Sequence, residues 1–249
     1  MDKNKLMKLA VDAGKIILEN GGETYRVEET IIIICKSYNI GDADCYVTPT
    51  GIMFSATGDN NENQSIIRRI KTRTIDLEKI NLVNILSRNI AKGEVSPSAL
   101  EDEIKKIKNY KKYKNSTLVF FSSIAAGFFT LLFNGNFIDF LVSLLIGSIL
   151  KIFTIALNKI KINEFFINIS GGFLIAFIAS LMFYISPKLN IDTIIIGCIM
   201  LLVPGLSFTN SIRDTIAGDI VSGISKAVEA TLMALAIATG TGILFKIWY

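Results

Sequence analysis

From about residue 117 onward the sequence carries five strongly apolar stretches, at 117–134, 137–157, 165–185, 192–210 and 222–247, behind a charged, water-soluble first part. A helix crossing the hydrocarbon core needs about 20 apolar residues. The expected fold class is therefore an α-helical polytopic membrane protein of about five spans, with an N-terminal α+β soluble domain. Residues 1–114 form the expected soluble domain and 115–249 the transmembrane one. Charge divides the same way: 19 of the 26 Lys and Arg and 16 of the 22 Asp and Glu lie in residues 1–114. With 51% hydrophobic and 19% charged residues in one chain, the two classes have to be segregated.

Composition removes several chemistries. The chain has no histidine, which excludes Ser-His-Asp and Cys-His nucleophile schemes and the commonest transition-metal ligand. Cys35, Cys45 and Cys198 are scattered without a CxxC pair, so neither a disulfide framework nor a zinc site is expected. No metal or cofactor is expected, and proton chemistry falls to carboxylates, Lys, Tyr or water. Met1 to Lys8 is polar and unlike a signal peptide, which predicts that the first domain stays where it is made.

Within that domain, Leu6, Leu9, Ala13 and Ile17 recur at helical spacing opposite Lys8, Asp12, Lys15 and Glu19. This predicts a helix that stops at Asn20-Gly21-Gly22, a pair suited to a positive-φ cap. A second helix is expected from Glu23 to Tyr38. Short β-prone runs follow at Cys45–Val47, Ile52–Ala56 and Ser65–Arg69, the first two joined by the turn Thr48-Pro49-Thr50-Gly51. Ile80, Val83, Leu86 and Ile90 mark a third helix closed by Gly93, and Ser96-Pro97 opens a fourth with Glu101 to Glu103 near its positive end. That fourth helix runs into the lysine-rich segment 105–114. Beside a membrane helix such a cluster is a topological signal, so no nucleic-acid partner is expected and the domain is placed in the cytoplasm.

An odd number of spans puts the carboxyl terminus outside. Loop charge agrees: Asn134-Gly135-Asn136 is uncharged, whereas Lys159 and Lys161 lie in the next, internal loop. Small residues such as Ala126-Gly127, Gly147-Ser148, Gly171-Gly172, Gly240 and Gly242 suit close helix packing in lipid. Around Pro204 the pattern changes. Pro204-Gly205 can interrupt a helix and free backbone carbonyls, as discontinuous helices do in carriers. Asn210, Arg213, Asp214, Asp219 and Glu229 follow the break, and ionisable groups at membrane depth are candidates for substrate or proton handling. The competing reading is a solvated loop over 211–221. In the soluble domain, Glu23, Tyr25, Arg26 and Glu28 follow the Gly-Gly turn, either as an ordinary acidic helix start or as a gating surface with Thr48, Pro49 and Thr50 as its second wall.

Two motif blocks carry a resemblance. Gly22-Glu23-Thr24-Tyr25-Arg26-Val27-Glu28-Glu29-Thr30, Val47-Thr48-Pro49-Thr50-Gly51 and the Asp76–Ala91 helix resemble the amino-terminal domain of the threonine/serine exporter family. Pro204-Gly205, Thr209-Asn210, Ile212-Arg213-Asp214, Gly218-Asp219, Ser222-Gly223 and Glu229-Ala230 are similar to that family's signature near its fourth and fifth spans. The resemblance implies a secondary transporter exporting small polar metabolites across the cytoplasmic membrane, threonine and serine in some members and dicarboxylates such as succinate in others. It further implies the larger subunit of a two-chain form, whose smaller membrane partner has about four spans of roughly 20 residues each. The other expected partners are the lipid bilayer and the small-molecule substrate, and a second copy of the chain is admissible. On this view Arg213 meets a substrate carboxylate, because guanidinium binds carboxylate bidentately, and Asp214, Asp219 or Glu229 holds an amine or a coupling proton. The chain is then not an enzyme. Two alternatives stay open at this point: a membrane-anchored hydrolase using Asp12, Glu23 and Glu28 as acid/base carboxylates, and a membrane metabolite sensor.

Overall fold

The computed structural model describes residues 2–58 and 62–248. The chain divides into two compact units, Met1–Lys111 with Leu206–Val228, and Lys112–Gly205 with Glu229–Tyr249. The return of residues 206–228 to the first unit is a departure from the expected division at 114, and it determines where the polar residues go.

In the first unit, α1 (Lys3–Glu19) is capped by the Asp2 side chain, which accepts from the Asn4 amide at 3.0 Å. It closes as the sequence predicts. Gly21 sits at φ +92°, its N–H reaches the Leu18 carbonyl, and the Gly22 N–H reaches the Ile17 carbonyl, a Schellman arrangement open to glycine. The chain then turns into α2 (Thr24–Ser37). Three antiparallel strands follow in the order β1 (Asp44–Thr48), β2 (Gly51–Thr57), β3 (Asn63–Arg69). Their register pairs Val47 with Ile52 and Phe54 with Ile66, and these residues form the sheet's buried face. α3 (Leu77–Ala91) starts at Asp76, whose carboxylate accepts from the Lys79 amide. α4 (Leu100–Lys108) begins three residues beyond Pro97, because residues 97–99 form a turn first. One aliphatic cluster, from Leu6 on α1 to Ile107 on α4, fills the centre.

The second unit holds α5 (Asn115–Leu132), α6 (Phe137–Lys159), α7 (Glu164–Ile185), α8 (Ile191–Ile199) and the greater part of α10 (Ile220–Trp248). Among the described residues four helices, α5, α6, α7 and α10, are long and apolar enough to cross a bilayer. The protein is a multi-pass membrane protein. Of the five expected spans, the one at 192–210 is not a single helix. α8 ends at Ile199, and α9 (Gly205–Ile216) starts anew after Pro204, which has no N–H to continue a ladder. The α9 helix also covers most of the segment 211–221 for which a loop was the competing reading.

Backbone contact holds the membrane unit together. A side chain at Gly172 would meet the Ile237 carbonyl, one at Gly240 the Ile169 carbonyl, and one at Gly147 the Ala126 methyl. The Thr130 hydroxyl bonds Ser143 Oγ at 2.7 Å, and Ser123 bonds the Leu144 carbonyl at 2.8 Å. Asp139 is wholly buried, with one carboxylate oxygen accepting from the Asn136 amide and the other from the Asn190 amide, each at 2.9 Å.

Candidate functional site

The first unit brings together polar residues nearly two hundred positions apart. The α1–α2 turn, residues 20–24, lies against α9 and the first turns of α10. At its near end the Asn210 amide nitrogen donates to the Gly21 carbonyl at 2.8 Å. Glu23, buried at the start of α2, accepts from Arg213 Nη1 at 2.7 Å and from Arg26 Nε at 3.1 Å. Thr24 donates twice: its backbone N–H goes to Asp214 Oδ1 at 3.1 Å, and its hydroxyl to Asp219 Oδ2 at 3.2 Å. Lys226 Nζ stands 2.7 Å from Asp214 Oδ2 and 3.4 Å from the Gly22 carbonyl. The Lys226 and Asp214 side chains are 7% and 0% exposed, whereas that of Arg213 is 59% exposed.

Helix geometry explains the convergence. Asn210 and Asp214 are four residues apart on α9, and Ser222 and Lys226 four apart on α10, so each pair shares a face. Gly223 lets the two helices meet, since a side chain there would collide with Thr215 and the Ser211 carbonyl. The Glu23 side chain makes no cap to α2, and the Thr24 N–H is satisfied instead by the Asp214 carboxylate, at the positive end of the helix dipole.

Two carboxyls respond oppositely. Burial pushes Glu23 upward, but its own backbone hydrogen bond, the bond from Arg213 and the charge and bond of Arg26 outweigh burial, leaving it below the ordinary carboxylate range. Glu28 accepts from the Val47 amide at 2.8 Å, and it still lies above that range. Burial raises it first, the Val47 bond opposes, and the negative charges of Asp219, Asp44 and Asp214 add to burial. A small cleft of about 120 Å³ opens beside Asp219, lined by Tyr46 and residues 218–222. Burial pushes the free thiols of Cys35 and Cys45 up to about 12, which leaves them unreactive. Among the described residues no cluster of His, Cys, Asp and Glu is arranged to hold a metal ion.

A profile of the family described as "Putative threonine/serine exporter" matches residues 8–248. The chain belongs to this family. It is similar to the "Probable threonine/serine exporter" of Mycobacterium tuberculosis, 20% identical over 240 residues that cover 95% of this chain and 45% of the relative. Similarity to the "Threonine/serine exporter" of Corynebacterium glutamicum is 21% over 245 residues, 96% of this chain and 50% of the relative. An uncharacterised protein of Schizosaccharomyces pombe is 20% identical over 227 residues, 88% of this chain and 27% of the relative. The chain thus spans about half the length of the two exporters it matches. No solved structure matches.

In this member of the threonine/serine exporter family, the amino-terminal motif and the 209–223 motif form one polar cluster. Of the residues singled out from sequence, Asn210, Arg213, Asp214, Asp219, Glu23 and Arg26 enter it directly. Glu28 joins through Val47, whose carbonyl accepts from Ser222 at 3.2 Å. Tyr25 lies under the Arg26 guanidinium, 5.9 Å from ring centre to Cζ. Thr48 and Thr50 face each other across the β1–β2 turn, with Pro49 buried between them. Pro204, Gly205 and Glu229 belong to the second unit. Sequence reasoning did not select Thr24, Ser222 and Lys226. For Lys226 a signal was present, because it lies four residues after Ser222 on one face of α10.

Proposed function

We propose that the protein is a secondary transporter that exports threonine and serine across the cytoplasmic membrane. Family membership supports a transport role rather than a catalytic one, and the names of the two bacterial exporters supply the substrate class. The observation that carries the reading is the cluster itself. Arg213 offers a guanidinium to a carboxylate, and Asp214 and Asp219 offer carboxylates to an ammonium and a hydroxyl, the groups that a zwitterionic hydroxy amino acid presents.

In this proposal the amino-terminal unit faces the cytosol, consistent with the lysines of segment 105–114 ahead of α5. The α8 helix and the non-helical residues after it act as a discontinuous crossing of the kind carriers use at their sites. Further membrane-spanning sequence, in a smaller partner, completes the carrier, a reading supported by the half-length match to the two exporters. Glu229 and the Pro204-Gly205 break are assigned to the route and Thr48 to Thr50 to the gating surface.

Export is measured from cells loaded with threonine-containing dipeptide, with internal and external threonine followed over time. Arg213→Gln is expected to abolish efflux while membrane abundance stays at the wild-type level. Normal efflux from that variant would remove Arg213 from the route. A wild-type chain that moves succinate but neither hydroxy amino acid would overturn the substrate assignment.

A further inference from the structure

The three groups assigned to substrate are already occupied, and the occupant of the two carboxylates is a threonine. Thr24 gives its N–H to Asp214 and its hydroxyl to Asp219, while the neighbouring Glu23 gives a carboxylate to Arg213. Nitrogen and hydroxyl oxygen are joined in Thr24 through the same N–Cα–Cβ–Oγ atoms as in the free amino acid. Two carboxylates that clasp one are therefore spaced for the other. The geometry points to Thr24 as an internal stand-in for the substrate, held in the Asp214–Asp219 clasp until free threonine or serine displaces it. This inference rests on the exporter reading and deepens it by naming what recognises the hydroxyl and what keeps the site closed when empty.

Several features of the turn fit displacement. It is joined to α1 through Gly21 and Gly22, the former in the left-handed region that glycine enters readily. The Glu23 side chain makes no cap bond to α2, so withdrawal of Thr24 breaks contacts to α9 and α10 and leaves no cap of its own behind. The exchange also improves the electrostatics. Asp214 receives a neutral amide N–H from Thr24 but would receive a charged ammonium from the amino acid, which adds ion-pair attraction to a hydrogen bond whose acceptor is already charged. Departure of Glu23 frees the Arg213 guanidinium for the substrate carboxylate. Lys226 remains paired with Asp214 throughout, which holds that carboxylate in place. Serine presents the same nitrogen and hydroxyl. Valine matches threonine in shape but has nothing to give Asp219.

The test is efflux from cells expressing the full chain, read as the internal concentration of amino acid giving half-maximal rate. Thr24→Val keeps the shape and the N–H and deletes the hydroxyl that competes for Asp219. Half-saturation for threonine and serine is expected to fall about tenfold, the range of one hydrogen bond to a charged group. Thr24→Ser, which restores the hydroxyl, is expected to bring the wild-type value back. A merely structural Thr24 would lower abundance or maximal rate and leave half-saturation where it was, and that result overturns the inference. A second readout holds if Thr24→Val fails to accumulate: in Thr24→Cys, saturating threonine or serine, but not valine, is expected to speed maleimide labelling of residue 24 over the wild-type background. Labelling indifferent to all three, in cells that do export threonine, sinks the stand-in alone. Absence of threonine and serine efflux from native cells, which hold the wild-type chain together with its membrane partner, sinks the exporter reading and the stand-in together.

Discussion

The two units bury polar groups by opposite means. In the first, an aliphatic core is withdrawn from water, and at its border charged side chains meet other side chains, Asp214 with Lys226 and Glu23 with Arg213 and Arg26. In the membrane unit, lipid is as apolar as the helix surfaces, so burial of leucine gives little and close backbone approach at Gly172 and Gly240 takes over. Its buried carboxylate, Asp139, is held by two backbone amides fixed in loop ends. The Asn136 and Asn190 amides, each at the start of a helix of the membrane unit, cannot leave without unwinding that helix end. Side-chain partners can be exchanged for a ligand, which is why the first unit's cluster, rather than Asp139, suits a binding role.

The strongest break of this contrast is removal of one partner from the side-chain pair. Lys226→Met leaves the fully buried Asp214 carboxylate without its cation, which costs about 3–5 kcal/mol for an unpaired buried charge. A sharply lowered unfolding midpoint in detergent is expected. Adding Asp214→Leu should recover most of the loss but not all, because the Thr24 N–H then lacks an acceptor. A double variant no better than Lys226→Met would mean that the pair is not the source of the effect.

Next in size is a comparison inside α10. A methyl at Gly240 would be driven into the Ile169 carbonyl and to 2.9 Å from the Phe173 amide nitrogen, whereas one at Gly242 meets nothing within 4 Å. Gly240→Ala is expected to destabilise by about 1–3 kcal/mol through overpacking. Gly242→Ala should be neutral or stabilising by up to about 1 kcal/mol, the helix-propensity difference. Equal effects at both positions would argue that backbone contact does not hold the membrane unit.

How far such features were legible depended on whether they were local. The Asn20-Gly21-Gly22 stop, the three strands and α5, α6, α7 and α10 follow from spacing and turn chemistry, which a sequence displays directly. Within α1 the predicted stripe Leu6, Leu9, Ala13, Ile17 is buried, but so are Ala10, Val11, Ile16 and Leu18, because neighbours cover more of the helix than one face. The segment 192–210 has the composition of a span, yet its helix stops at Ile199, and a hydropathy window averages across such a break. Residues 206–228 were assigned to the membrane part because they lie between apolar runs. Their actual partners are at 21–28 and 47, a pairing fixed by tertiary structure. Arg213 and Glu23 were each visible as candidates, but that they would bond to each other was not.

The smallest effects test the electrostatics of the side-chain cluster through two glutamates five residues apart. Glu23 lies below the ordinary carboxylate range, so its ionised form supports the fold. That stability is present above the unfolded-state pKa and is lost as pH falls through the depressed folded value. Glu28 lies above the range, so its ionised form works against the fold. The stability due to its protonated form is complete below the unfolded-state pKa and is lost as pH rises through the elevated folded value. Glutamine is a neutral isostere of either, and at position 28 it keeps an oxygen for the Val47 amide. At pH 7, Glu23→Gln is therefore expected to lower the unfolding midpoint and Glu28→Gln to raise it. Both differences should shrink as pH falls, that of Glu28→Gln vanishing once the wild-type carboxyl is protonated and that of Glu23→Gln persisting to more acid conditions. Shifts of the same sign at pH 7 would show that burial and the negative charges of Asp219, Asp44 and Asp214 do not together raise Glu28 as the structure requires.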